Sequence, residues 1–96
     1  MNKDWFVYII TNYRNTVLYI GITNNLKRRI WEHKSGLIKS SFSKKYKLYK
    51  LVWFKTFNNP SQAIEFEKKI KKWRREKKIN LIKEKNSNFQ DLFTFH

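Results

Sequence analysis

Residues 5–21, WFVYIITNYRNTVLYIG, decide the fold of this chain. The two ends of the stretch, residues 5–11 and 16–21, are rich in β-branched and aromatic residues, which favour strands. The segment between them is short and polar, so the pattern predicts a β-hairpin. Side chains alternate across a strand, and each predicted strand therefore carries one tyrosine near its centre, Tyr8 on the first and Tyr19 on the second.

A helical pattern follows the hairpin. Residues 23–24, Thr-Asn, are favourable N-cap residues, and residues 25–34 (NLKRRIWEHK) continue as a helix. At about 100° per residue, Leu26, Ile30 and His33 fall on one stripe, with Arg29 at its edge. The pattern therefore predicts that one arginine and one histidine face the core side of this helix. The other charged residues of the segment point elsewhere: Lys27, Arg28 and Glu32.

A third strand and a second helix are predicted after a basic loop. Residues 34–47 have no clean period and predict a mobile loop, whereas residues 48–57 have the composition of a strand. Residues 59–62, Asn-Pro-Ser-Gln, predict a helix start, with a capping residue and proline at the first helical position. Glu67 lies inside the apolar stripe of this helix, where an acidic side chain needs an explanation. The stripe consists of Ala63, Phe66, Ile70 and Trp73.

The order of predicted elements gives the fold class. The helix is expected to break within residues 68–78, and residues 79–82 continue as a short helix. The order β-β-α-β-α-α predicts an α+β fold with a small three-stranded antiparallel sheet flanked by helices. At 96 residues the chain is long enough for one domain, so residues 1–96 are interpreted as a single domain with a core at about residues 5–92.

The amino-acid composition narrows the range of possible functions. The 22 lysines and arginines against 7 acidic residues give a formal charge of +15, which indicates a polyanionic partner. The chain has no cysteine, which excludes a disulfide framework, a thiolate metal site and a cysteine nucleophile. There is neither an apolar run of roughly 20 residues nor a signal-peptide pattern at the N-terminus. We therefore expect a cytoplasmic protein with no membrane partner.

Five polar residues stand out of place on the predicted strands and helices: Tyr8, Tyr19, Arg29, His33 and Glu67. With them the sequence resembles the GIY-YIG nuclease superfamily. Residues 7–9 (VYI) and 19–21 (YIG) match its two strand motifs, although the glycine of the first motif is absent. The sequence is most similar to the small stand-alone bacterial members, which have a motif like residues 71–78 (KKWRREKK). Their Asn-Pro-x-Trp-x-Asp-Leu ending reads NSNFQDL here, at residues 86–92.

The resemblance implies an endonuclease that hydrolyses DNA phosphodiester bonds, in DNA repair or in the processing of structured DNA. It implies that Glu67 binds the metal, Mg²⁺ or Mn²⁺, for which one carboxylate plus water and phosphate oxygens is a normal ligand set. A buried salt bridge between Glu67 and Arg29 is the alternative interpretation. The arginine would bind the scissile phosphate with its planar, permanently charged fork.

The two tyrosines, the histidine and two accessory positions complete the implied site. The resemblance makes Tyr19 the general base or water-positioning residue, with Tyr8 and His33 assisting through hydrogen bonds and proton relay. Taken singly, each could be an ordinary strand aromatic or a buried helix residue. The glycine and late asparagine of the family fall on Gly21 and Asn86, which we interpret as accessory positions.

The basic surface is expected to bind nucleic acid, DNA more than RNA, through its phosphates. The alternative function is a nucleic-acid-binding module on the same fold with little or no intrinsic cleavage. A basic accessory protein of RNA or ribosomes is a third interpretation. We expect a monomer or a weak dimer. The predicted phosphate contacts are Lys44, Lys45, Lys68, Lys71, Lys72, Arg74, Arg75, Lys77 and Lys78.

Overall fold

A computed structural model describes residues 4–35 and 47–93 of the chain. Its described elements follow the predicted order β-β-α-β-α-α, which confirms the α+β fold class. They are β1 (Trp5–Thr11), β2 (Leu18–Thr23), α1 (Leu26–Ser35), β3 (Lys50–Phe57), α2 (Pro60–Lys71) and α3 (Arg75–Lys83). The predicted basic loop, with Lys44 and Lys45, falls mostly on residues 36–46, which lie outside the described residues. No helix in the described ranges is long and apolar enough to cross a membrane.

The hairpin forms, but β2 begins two residues later than the pattern predicts. The Asn12 side chain is the reason, because its Oδ1 accepts hydrogen bonds from the backbone N–H groups of Thr16 at 2.9 Å and Val17 at 3.2 Å. Asn15 adopts a left-handed backbone conformation, with φ of 57°, which asparagine tolerates better than most residues. Thr16 and Val17 therefore belong to the turn, and β2 extends to Thr23 instead of ending at Gly21.

The three described strands form one antiparallel sheet in the order β2-β1-β3. Tyr8 lies opposite Gly21 on β2 and opposite Phe54 on β3. The pairing of β1 with β3 shifts register between Ile9 and Ile10, so that β3 contributes one extra residue at Val52. The central strand β1 thus presents Tyr8 to one face and its neighbours to the other.

The sheet has an apolar cluster on each face. Val7, Ile9 and Ile20 pack with Ala63 and Ile70 of α2 on one face. On the other face Tyr8 and Ile10 pack with Ile30 of α1 and with two residues at and before β3, Leu48 and Leu51. Two C-terminal aromatic residues dock on these clusters, Phe89 in the first and Phe93 against the second.

Local capping places the helices. Asn59 is the N-cap of α2, and its side chain accepts hydrogen bonds from the backbone N–H groups of Ser61 and Gln62. The predicted break follows Lys71, and α3 begins at Arg75. The N-terminal cap of α1 is supplied by Asn25, one residue later than predicted, whose Oδ1 accepts from the Arg28 backbone N–H at 3.1 Å.

Candidate functional site

Two tyrosines and one histidine meet on the sheet face that α1 covers. Tyr8 of β1 and Tyr19 of β2 lie on adjacent strands, with ring centroids 6.5 Å apart. The His33 ring, in the last turn of α1, lies with its centroid 6.0 Å from that of Tyr8 and 5.9 Å from that of Tyr19. The Tyr8 hydroxyl lies 3.3 Å from His33 Nε2. The alternation of the hairpin and the stripe of α1 therefore bring these three predicted residues together.

Gly21 provides the space for the Tyr8 ring. A Cβ atom built on Gly21 would lie 2.4 Å from both Cζ and Oη of Tyr8, well inside van der Waals contact. Gly21 and Tyr8 face each other across the β1–β2 pair, so the phenol lies directly over the glycine backbone. The residue predicted as an accessory position thus has a steric role in placing the tyrosine.

The Tyr8 hydroxyl remains protonated at neutral pH. Burial raises its pKa well above the ordinary value, and the neighbouring Tyr19 hydroxyl raises it further. The Arg29 guanidinium lowers the pKa of Tyr8, while the carboxylates of Glu67 and Glu32 raise it. Charges from α1 and α2 therefore act on one hydroxyl at the centre of the sheet.

His33 is uncharged at neutral pH. Burial lowers its pKa from 6.5 to about 4, and the Arg29 guanidinium adds to this effect while Glu32 opposes it. An unprotonated Nε2 accepts a hydrogen bond, and a protonated tyrosine hydroxyl can donate one. The Tyr8–His33 contact is thus compatible with a neutral hydrogen bond in which Tyr8 donates.

Arg29 is half-buried and lines a polar cavity of about 220 Å³ at the start of α1. The cavity walls carry two arginines and several hydrogen-bonding groups, a composition that suits a phosphate group. The charge of Arg29 also lowers the pKa values of Tyr8 and His33, which places the cavity beside these aromatic residues. The lining residues are Thr23, Asn24, Asn25, Arg28, Arg29 and Glu32.

Glu67 of α2 forms an ion pair with Lys71, one helical turn later, at 3.3 Å. Its side chain is 13% exposed, whereas that of Lys71 is 50% exposed. Among the ion pairs of the described residues, the carboxylate pairs with this lysine and not with Arg29, which was the alternative from sequence. Its charge raises the pKa of Tyr8, which brings Glu67 into the electrostatic surroundings of the site.

The donor set suits a hard cation that keeps most of its water. Residues 4–35 and 47–93 contain no group of three metal-ligating His, Cys, Asp or Glu side chains. Glu67 offers oxygen donors, the type that Mg²⁺ and Mn²⁺ prefer, and its exposed partner Lys71 can turn to solvent. A single-carboxylate site completed by water and substrate oxygens is consistent with these residues.

Glu32 was missed as a site residue, because the helical pattern directs it away from the stripe. Its side chain is only 25% exposed, lines the polar cavity and pairs with Arg28 Nε at 3.5 Å. Its charge acts on both Tyr8 and His33. The i,i+3 spacing from Arg29 was the available signal, since residues three apart are neighbours on a helix surface.

The described basic residues predicted to bind phosphate lie along α2, α3 and their junction, and most are exposed. Two also have contacts within the protein: Arg75 donates to the Asn15 backbone carbonyl at 2.8 Å, and the Lys77 amino group lies 4.2 Å from the Trp73 ring centroid. These contacts fix part of the basic surface against the hairpin and the helix break. The described residues of this set are Lys68, Lys71, Lys72, Arg74, Arg75, Lys77 and Lys78.

Asn86 is buried and its amide is used within the fold. Its Nδ2 donates to the backbone carbonyls of Val52 at 3.0 Å and Gln90 at 2.8 Å, and its Oδ1 accepts from the Gln90 backbone N–H at 2.9 Å. Val52 is the extra residue of the β3 bulge, which explains why its carbonyl needs this partner. An accessory catalytic role for Asn86 stays a prediction.

Comparison with known proteins identifies relatives over nearly the whole chain. The sequence model of the GIY-YIG catalytic domain family matches residues 4–80 of this chain. A UPF0213 protein of Vibrio campbellii is 40% identical over 82 residues, which cover 85% of this chain and 77% of the relative. A UPF0213 protein of Syntrophus aciditrophicus is 36% identical over 84 residues, covering 88% and 94%. The solution NMR structure of a UPF0213 protein from Bacillus halodurans superposes with a TM-score of 0.58 at 25% identity, covering 95% of this chain and 99% of that one.

Proposed function

The chain belongs to the GIY-YIG catalytic domain family, a family of nucleases that act on nucleic acid, and from this premise we propose that it is a divalent-metal-dependent DNA endonuclease. The reaction would be hydrolysis of DNA phosphodiester bonds, in DNA repair or in the processing of structured DNA. The observation that supports this proposal is the meeting of Tyr8, Tyr19 and His33 beside the charges of Arg29 and Glu67.

The exposure of the side chains supports the choice of the residues that would contact substrate. Tyr8 is 2% exposed and His33 4% exposed, whereas Tyr19 and Arg29 are half-buried and reach the surface. We therefore assign Tyr19 as the general base or water-positioning residue. The Arg29 guanidinium binds the scissile phosphate, because its fork offers two parallel hydrogen bonds to phosphate oxygens and stays charged.

Tyr8 and His33 act behind the substrate-contacting residues. Both are uncharged at neutral pH, so their hydrogen bond orients the two rings without adding charge to the site. The rings of both residues flank that of Tyr19. This arrangement fixes the Tyr19 phenol and provides a route by which a proton taken from the attacking water can be passed on.

Glu67 is the residue that would hold the metal. Mg²⁺ or Mn²⁺, when bound, would neutralise charge on the non-bridging phosphate oxygens and stabilise the leaving alkoxide. The Glu67 carboxylate would be free to hold the cation at little cost, because its ion pair with the half-exposed Lys71 contributes at most about 1 kcal/mol.

The exposed basic residues of α2 and α3 would bind the DNA backbone on either side of the cleaved bond. Phosphate contacts position the duplex or strand and carry little sequence information. We propose accordingly a cytoplasmic protein that acts on DNA as a monomer or weak dimer.

The test is a cleavage assay with purified protein. Single-stranded, duplex, nicked and branched DNA, and matching RNA, would be incubated with Mg²⁺, Mn²⁺ or EDTA, and the Tyr19→Phe protein would serve as the control for contaminating nucleases. We expect cleavage with either metal, none with EDTA, and a strong reduction in the variant. Tight binding to all substrates without cleavage under any metal would instead assign the chain as a nucleic-acid-binding module.

A further inference from the structure

The C-terminal residues 86–93, which we call the strap, cross from one face of the sheet to the other. Phe89 packs in the apolar cluster that α2 covers, whereas Phe93 packs against the cluster that α1 covers. Between them the Leu92 backbone N–H donates to the Leu51 carbonyl at 2.7 Å. The strap therefore passes around the outer side of β3, and beyond Asn86 it contains no residue that the proposed chemistry uses.

Asp91 is the residue that joins the strap to the rest of the protein. Its Oδ1 accepts hydrogen bonds from the backbone N–H groups of Leu51 and Phe93, both at 3.1 Å. Its Oδ2 forms an ion pair with the Lys34 amino group, which also lies 5.4 Å from the Phe93 ring centroid. The side chains are 29% exposed for Asp91 and 15% exposed for Lys34, so water screens this pair less than a surface pair.

The ion pair joins the strap to the C-terminal turn of α1, which carries His33. Leu26 and Ile30 pack the first two turns of α1 against the apolar cluster. In the described part of the chain, the last turn is joined to other elements by His33, which contacts both tyrosines, and by Lys34, which contacts the strap. The position of His33 against Tyr8 therefore depends on where Lys34 is held.

We propose that Asp91 is a positioning residue, which acts through Lys34 to hold the last turn of α1 and thereby keeps His33 against Tyr8. The proposal rests on the proposed nuclease function for its kinetic effect, but the geometry it describes can be measured without cleavage. Asp91 touches no substrate in this scheme. Its effect on the reaction passes through the alignment of two buried rings, and misplacement by about 1 Å can reduce a rate by as much as two orders of magnitude.

Two conservative variants separate positioning from docking of the strap. Asp91→Asn keeps an oxygen that can accept from Leu51 and Phe93 but loses the charge that pairs with Lys34. Lys34→Met removes the same ion pair from the other side, together with the contact of the amino group with the Phe93 ring, and keeps the hydrogen bond from the Leu51 N–H to Asp91. Lys83→Met, which removes an exposed lysine from α3, controls for the loss of one positive charge in DNA binding.

We expect Asp91→Asn and Lys34→Met to lower kcat at least tenfold. Lys34→Met should keep the KM and DNA affinity of Lys83→Met, and Asp91→Asn, which removes a negative charge, should bind DNA at least as tightly as the wild type. The double variant should be no slower than the slower of the two single variants, because both substitutions remove the same ion pair. The ring signals of His33, followed by NMR against pH, should move from a pKa of about 4 toward the ordinary 6.5 as the ring gains solvent. Every variant keeps the titratable and charged groups that face this ring, so the comparison isolates the effect of the Asp91–Lys34 ion pair. These groups are Tyr8, Tyr19, Arg29 and Glu32.

Wild-type kcat and an unchanged His33 titration in folded Asp91→Asn and Lys34→Met proteins would overturn the proposal. Additive losses in the double variant would also overturn it, since they would mean independent effects. If Asp91→Asn fails to fold, Lys34→Met carries the test alone. If the wild-type protein cleaves no substrate, the nuclease function fails, whereas an altered His33 titration in the two variants still supports the positioning role.

Discussion

Gly21→Ala should disable the site by steric pressure on one ring. The added Cβ would lie 2.4 Å from Cζ and Oη of Tyr8, and ordinary contact begins at about 3.4 Å, so the ring has to move by about 1 Å. The backbone itself accepts alanine, because the φ angle of Gly21 is not in the left-handed region. The Tyr8 hydroxyl lies 3.3 Å from His33 Nε2, already near the upper limit for a hydrogen bond, so a shift of the ring away from His33 would break this contact.

Two effects of different size should follow from this displacement. Overpacking costs about 1–3 kcal/mol, which for a domain of this size lowers the melting temperature by at least about 4 °C. A misplacement of about 1 Å reduces the cleavage rate by up to about a hundredfold. Thermal unfolding measures the first effect, and single-turnover cleavage of a labelled DNA substrate measures the second.

A double-mutant cycle provides the control. Tyr8→Leu removes Cζ and Oη, so adding Gly21→Ala in that background should change the unfolding free energy by less than about 0.5 kcal/mol. The coupling between the two positions should then be about 1 kcal/mol or more. A Gly21→Ala protein that melts like the wild type and cleaves at the wild-type rate would refute the close approach of the ring to the glycine.

Four further outcomes are expected. Tyr19→Phe keeps the ring, so it should fold normally and cleave at least about a hundredfold more slowly in the same assay. Glu67→Gln loses an ion pair to a half-exposed lysine, so we expect a melting temperature within a few degrees of the wild type, retained DNA binding and no cleavage in Mg²⁺; cleavage at the wild-type rate would end the metal assignment. Because the folded pKa of His33 is about 4 against an ordinary 6.5, its contribution to stability is complete above pH 6.5 and is lost as the pH falls toward 4, by roughly 3 kcal/mol. Unfolding of His33→Gln should lack that part of the pH dependence, and equal pH profiles would contradict the assignment. Log K for DNA should fall steeply with log salt concentration, and a flat plot for folded protein would exclude the basic surface as the binding site.

Much of the fold follows from local patterns. The hairpin, the start of α2 at Asn59 and the break after Lys71 depend on residues within a few positions of one another, and the structure has all three. The order β2-β1-β3 depends on which edge of the hairpin receives β3, a choice that no local pattern contains. The late start of β2 depends on the Asn12 side chain, whose bonds to the turn compete with strand pairing.

The candidate site also has features that follow from local sequence patterns and features that do not. Strand alternation and helical periodicity predict one tyrosine near the centre of each hairpin strand and His33 on the core side of its helix. The register of β1 with β2 and the packing of α1 then bring the three rings together. The pairing of Glu67 with Lys71 rather than Arg29 was within reach, because residues four apart are neighbours on a helix surface. The contact of Asp91 with α1 was out of reach, because it joins side chains 57 residues apart in sequence.

The strap also affects how neighbouring molecules can meet. A three-stranded open sheet has two edge strands, and the unpaired N–H and C=O groups of an edge can pair with a strand of another chain. At Leu51 on β3, both backbone groups are already occupied, the N–H by Asp91 and the C=O by Leu92. On the proposed DNA substrate a chain of charge +15 would accumulate, and copies would lie at high local concentration. There the occupied edge prevents strand-to-strand aggregation at the point where the strap crosses it.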